Sequence, residues 1–319
     1  MQVKFVLENS SVMVQLRREK WTIVLAFAAI YVIWGSTYVA ILIGLNDIPP
    51  FLLSGIRFLV AGIILYLWCY FKRESFPSPS AMLKNSISGI LMLVGGTVSV
   101  AWAEQYLSSS MAAIIVTILP FWFVLLDRRQ WKFYFSNKSI LTGLLLGFAG
   151  VSILLGFGNQ RPLLANNPNQ WQGIAVILFG GIAWTLGSLY SKYQPLKTPL
   201  LVNGSIQLLS AGVFCLFISG FAGEWSQFSF VKTEASSWAA LAYLVVMGSL
   251  VAYLSYLYLL KKKSPAQVST YVYINPVIAV LLGNFIANET ISLLKIIALI
   301  VILGGVLLVN LPKYKFRTT

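Results

Sequence analysis

Arg57 makes the greatest demand on its surroundings. It lies seven positions into the apolar run 51–71, and no other charged residue shares that run. A charge inside hydrocarbon costs at least about 2.5–3.5 kcal/mol on insertion scales, so something must compensate it. Three routes are open: snorkelling to the outer head groups, pairing with Glu104, or holding the carboxylate of a solute. The nine Asp and Glu residues all lie in loops or near the ends of apolar runs, and Glu104 is the nearest by depth. The chain has no histidine, and Cys69 and Cys215 stand alone inside apolar runs. Those residues supply no nucleophile–base pair, no metal-ligand cluster and no disulfide framework, so the expected chemistry is binding and not catalysis, with no metal and no cofactor. Trp34, Tyr38, Trp102, Trp184, Tyr190, Tyr253, Tyr256, Tyr271 and Tyr273, with Ser36 and Asn275, fall inside the apolar runs. They suit an aromatic pocket with hydroxyl and amide handles for a small neutral or zwitterionic solute. With so few deep titratable groups, movement down a solute gradient is favoured, and Glu104 is the remaining site for proton coupling.

The elements that position these residues follow from composition. Of 319 residues, 58% are hydrophobic and 10% charged, whereas soluble domains carry about a quarter charged. The chain reads as an all-α polytopic membrane protein. At ~20 residues per crossing, apolar runs place ten spans at 21–44, 51–71, 86–106, 109–126, 140–156, 171–191, 199–220, 237–260, 265–286 and 292–310. The first run has no small-residue cleavage site and reads as a retained anchor. Threading the chain through these spans puts nineteen of the 23 Lys and Arg residues on one side. Arg161, Lys232 and Lys295 fall on the other, and Arg57 within a span. The positive-inside rule then puts both termini in the cytoplasm, and the net charge of +14 is an orientation signal and not a nucleic-acid surface. Pro120 and Pro276 each sit about eleven residues into spans 4 and 9, near mid-depth at ~1.5 Å per residue. There each frees a backbone carbonyl and could act as a gate or hinge.

The chain also resembles itself. Residues 54–62 match 204–212 at four of nine positions, and 118–126 match 274–282 at five of nine. Gly35-Ser36-Thr37-Tyr38 echoes Gly187-Ser188-Leu189-Tyr190, and Gly150-Val151 echoes Gly305-Val306. All four pairings share nearly one offset. Each half then holds five spans, and because five is odd the second half enters the membrane upside down. Such inverted repeats can expose a central cavity to either side in turn.

Trp34-Gly35-Ser36-Thr37-Tyr38, Pro49-Pro50 followed by Arg57-Phe58, and Ala103-Glu104-Gln105 leading to the run with Pro120 resemble the EamA branch of the drug/metabolite transporter superfamily. Pro276 and the turn near Asn288-Glu289 resemble the counterpart segment of the second half. The resemblance runs from about Trp21 to Leu311. It implies ten helices as two EamA repeats, 21–156 and 171–310, with a cytoplasmic leader 1–20, an external linker 157–170 and a cytoplasmic tail 311–319. It also implies a multi-pass protein of the cell inner membrane whose partners are a small solute, such as an amino acid or related metabolite, and the lipid bilayer. Relatives elsewhere in the superfamily carry sugars, nucleotide-sugars or lipid-linked groups, and a receptor or scaffold is the distant alternative. The basic Asp127-Arg128-Arg129 stretch and the aromatic segment after it depart from the family's pattern at the inner face.

Overall fold

The computed structural model describes residues 2–75, 77–107, 112, 115–158, 169–194, 198–278 and 293–312. Among these there is helix and no strand. The long helices are α1 (Gln2–Leu45), α2 (Pro50–Phe71), α3 (Pro79–Ala103), α4 (Leu119–Leu126), α5 (Lys138–Gly158), α6 (Gln170–Tyr193), α7 (Leu200–Phe221), α8 (Ala235–Lys262), α9 (Pro265–Val268, helical again over 271–278) and α10 (Leu293–Asn310). Six stretches are long and apolar enough to cross a membrane: Arg17–Leu45 of α1, then α2, α3, α6, α7 and α8. The pair Arg128–Ser136 and Lys138–Leu154, bent by 92°, is a seventh if it forms one span. The spans expected at 109–126, 265–286 and 292–310 lie partly outside the described residues, as does most of the 157–170 linker.

Boundaries shift for local reasons. α1 runs back through the segment expected as a separate leader. α3 starts seven residues before the expected 86 because Ser78 caps it, accepting from the Ala81 amide at 3.4 Å, and Pro79 opens its first turn, where the missing N–H costs nothing. α3 and α8 each contain a stretch of wide π turns, Ile90–Val98 and Leu244–Tyr253, which no apolar periodicity announces. The break expected within span 4 takes another form. Thr117 and Ile118 form a turn, and Pro120 stands in the first turn of α4, so it starts a helix and does not bend one.

α2 packs along α7, and α5 along α10. A Cβ on Gly62 would lie 2.8 Å from the Leu209 amide nitrogen, and one on Gly212 would lie 2.5 Å from that of Leu59. Gly62 and Gly212 are 150 residues apart, as are Leu59 and Leu209, so the two contacts are reciprocal. Small residues permit such close backbone approach between apolar helices, where dispersion contributes most. Acidic side chains tie helix starts to neighbouring segments. The Glu224 carboxylate accepts from the amides of Phe51 (3.2 Å) and Leu52 (2.8 Å) at the start of α2. Asp47 Oδ2 accepts from Ser237 Oγ (2.6 Å) and the Glu234 amide (3.1 Å) at the start of α8. Both complement the positive ends of those helices.

Candidate functional site

Seven helices, α1–α4, α6, α8 and α9, and the residues just before α4, surround a cavity of about 870 Å³ counted out to its mouth. Arg57 brings the formal charge to its wall and is only 6% exposed. Its Nε–H donates to Ser249 Oγ at 2.9 Å, and its guanidinium carbon lies 5.1 Å from the Phe58 ring centre. A Cβ on Gly248 would come within 2.7 Å of Arg57 Nη2. The π stretch of α8 therefore supplies both the hydroxyl that holds Arg57 and the gap that admits it. Arg57 takes Ser249 and not Glu104 as its partner, and it is enclosed by protein instead of reaching for lipid. Among the described residues no carboxylate pairs with it.

Asn275 supplies an acceptor. It is 3% exposed and lines the cavity; its side chain is hydrogen-bonded with Tyr38, and its oxygen has no hydrogen-bond partner among the described residues. Buried polar atoms are seldom left so. Between the two poles stands an aromatic wall. The Trp34 ring lies 4.6 Å from Tyr271 and 5.6 Å from Trp184, and its indole N–H donates to the Gly248 carbonyl at 3.3 Å. Trp184 donates in turn to the Tyr256 hydroxyl (3.0 Å), which is 2.7 Å from Ser188 Oγ. The site can hold a compact apolar body by ring contact, an anionic group at Arg57 and an N–H or O–H group at Asn275.

Of the residues singled out in the sequence, Trp34, Tyr38, Arg57, Trp184, Tyr253, Tyr271 and Asn275 line this cavity. The others stand elsewhere. Tyr256 buttresses the wall from behind. Ser36 turns to Tyr243 (2.6 Å) and the Ile33 carbonyl (2.8 Å). Trp102 stacks on Tyr106 at 4.8 Å, and Tyr190 is half-buried off the wall. Tyr273 donates to the Leu144 carbonyl at 3.2 Å, with its ring against Gly147. Glu104 ends α3 close to Tyr38 without reaching the cavity. Pro120 and Pro276 adjoin the wall residues Leu119 and Asn275. Sequence reasoning missed Ser249, Thr37, Thr97 and the glycines at 96, 180, 181 and 248. Their one signal was a clustering of small residues in spans that also carry aromatics.

A second pocket, about 450 Å³ counted out to its mouth, opens among α3, α6, α7 and α8. Gln207 is central to it: Tyr253 donates to its Oε1 at 2.7 Å, and its Nε2 reaches Ser191 Oγ (3.3 Å), Ser88 Oγ (3.4 Å) and Asn85 Oδ1 (3.4 Å). Tyr253 also lines the larger cavity, so this hydrogen bond stands in the partition between the two spaces. Near the same end of the molecule, Asp127 accepts from Tyr134 and Tyr193, each at 2.8 Å. Burial pushes the Asp127 carboxyl above its usual range, against the pull of those two hydroxyls and of Lys192 and Arg129.

Known proteins place this arrangement. The EamA-like transporter family matches residues 20–156 and again 171–311. An Escherichia coli (strain K12) protein named an uncharacterized inner membrane transporter, YedA, is 37% identical over 91% of each chain. An uncharacterized transporter of Archaeoglobus fulgidus is 27% identical over 91% of this chain and 98% of that one. A crystal structure sharing 19% identity superposes with a TM-score of 0.71, covering 90% of this chain and 96% of the other, and so shows the same fold. Two family matches in tandem, on a chain whose apolar helices enclose a solute-sized cavity, settle the classification: this multi-pass membrane protein belongs to the EamA-like transporter family.

Proposed function

We propose that the protein is a secondary transporter of the cell inner membrane that exports small amphipathic metabolites such as amino acids, or lets them pass, by alternating access. In this reading ten helices cross the bilayer, with both termini in the cytoplasm. The halves 21–156 and 171–310 are threaded in opposite senses and joined by an external linker, 157–170. The tandem family matches support two like halves. The reciprocal contacts of Gly62 with Leu209 and Gly212 with Leu59 are those expected across a pseudo-twofold axis. The inner-membrane placement draws on the relatives' names and on the helices long enough to span.

One observation carries the reading: a buried arginine lines a solute-sized cavity with no carboxylate paired to it among the described residues, beside aromatic rings and an amide oxygen that has no hydrogen-bond partner among them. A solute carboxylate would take the Arg57 Nη groups, its ammonium the Asn275 oxygen, and its apolar body the Trp34–Tyr271 corner. Glu104, Pro120 and Pro276, at the margins of the wall, would serve as gate and hinge positions. The test is uptake and counterflow of labelled amino acids in proteoliposomes, with and without a pH gradient. Saturable flux that falls in Arg57→Met and Trp34→Ala supports the proposal. An absence of protein-dependent flux across a broad panel of amino acids and sugars would overturn it.

A further inference from the structure

The smaller pocket has a composition unlike the larger one. Its walls carry Asn85, Ser191, Lys192, Asn203, Gln207 and Lys261, and no acidic residue among the described residues. Asn85, Asn203, Gln207 and Lys192 are all at least nine-tenths buried. The Lys192 ammonium donates to the Lys263 carbonyl at 2.9 Å and to the Leu260 carbonyl, both neutral acceptors at the end of α8. The nearby acid, Asp127, attracts Lys192 electrostatically from outside the pocket lining and has an oxygen bonded to each of two tyrosine hydroxyls. A polar space bounded by the buried Lys192, the exposed Lys261 and several amides favours a small anionic group.

Its walls also correspond to those of the larger cavity. The pocket is formed by α6, α7, α8 and α3, and at the repeat offset these are the counterparts of α1, α2, α3 and α8, all of which line the cavity. Gln207 is the positional counterpart of Arg57. The two spaces meet at Tyr253, which lines one and whose hydroxyl is bonded to Gln207 in the wall of the other.

We propose that this pocket is a second solute subsite, on the far side of Tyr253 from Arg57, and that it accepts the carboxylate of the solute as the Tyr253–Gln207 hydrogen bond opens. The proposal rests on the transport reading above. It assigns the carboxylate two successive hosts, the guanidinium of Arg57 and then the ammonium pair Lys192 and Lys261. The apolar body follows the ring of Tyr253.

The test reads the pocket without relying on flux. In full-length protein with Cys69 and Cys215 replaced by serine, a cysteine is placed at Ser191, or in a second variant at Asn203. A reference cysteine goes at the exposed Ser80, at the start of α3 on the same face of the bilayer in the proposed topology. Labelling in inside-out vesicles compares an anionic methanethiosulfonate, the sulfonatoethyl reagent, with its cationic trimethylammonium analogue. The expected result is an anionic-to-cationic rate ratio at least about tenfold higher at the pocket than at Ser80. That ratio should collapse in Lys192→Gln/Lys261→Gln, and 3-phenylpropionate should slow labelling where 2-phenylethylamine does not. Equal ratios at the two positions would overturn the proposal. So would protection by the amine alone, or a pocket sealed to both reagents in both cysteine variants. Loss of flux with an intact anion preference would sink the transport reading while leaving an anion-accepting pocket, so the two failures are distinguishable.

Discussion

Arg57 and Gln207 occupy the same place in the two halves, yet the protein has settled them differently. Among the described residues Arg57 makes one side-chain hydrogen bond, to Ser249, and it lines an aromatic cavity. Gln207 is held by Tyr253 and within reach of Asn85, Ser88 and Ser191, so both ends of its amide are engaged by the protein itself. A neutral amide can be completed from within because it needs only dipoles. A guanidinium in a low-dielectric wall keeps a net charge that neutral dipoles do not cancel, and an anion completes it best. The contrast separates a corner built to be finished by something else from a corner that is already closed.

Breaking the open corner has the largest expected effect. Arg57→Met removes a charge-assisted bond worth about 2 kcal/mol, which corresponds to a roughly 30-fold rise in KM for a carboxylate-bearing solute. Lysine at the same position restores part of it. A solute amide analogue should lose little from the substitution, and equal losses for acid and amide would remove Arg57 from the carboxylate role. The closed corner should respond in stability. Gln207→Leu strands the Tyr253 hydroxyl, costs about 1–3 kcal/mol, and is read as a lowered thermal midpoint in detergent. A third pair of variants asks whether the halves are symmetric apart from these corners. Gly62→Ala and Gly212→Ala should each destabilise by about 1–3 kcal/mol through overpacking, with Gly212→Ala the costlier because its neighbour is closer. A midpoint change in only one of them would break the reciprocity.

The smallest effect lies below the closed corner, at Asp127. Burial raises its carboxyl in the folded protein, so the folded state keeps that proton to higher pH than the unfolded chain. Its contribution to stability is therefore fully favourable at low pH and declines as pH rises from about 4, the ordinary Asp value, through the raised one. Asp127→Asn should flatten that slope in midpoint-versus-pH curves, and an unchanged slope would assign it to other groups.

Much of this was legible in residue types. A charge inside an apolar run marks itself, which is why Arg57 stood out, and mid-depth tryptophans pointed to the wall that Trp34 and Trp184 form. Tyr273 and Ser36 misled because a hydroxyl in an apolar run looks the same whether it faces a solute or a backbone carbonyl. Ser249 and Gly248 were invisible for the opposite reason: small residues in a membrane helix usually mean packing, and their role here depends on π turns that leave no periodic trace. The span boundaries were readable to within a few residues wherever a proline or a cap marks the start, as at Pro50. They were not readable in α3, where a polar first turn disguises the helix.

The grip between α2 and α7 constrains how this chain can change over time. Gly62 and Gly212 meet the main chain of Leu209 and Leu59, so neither glycine can grow without displacing a helix of the other half. These positions are expected to drift only as a set, and two halves that began as copies are held to a shared seam even as their corners diverge.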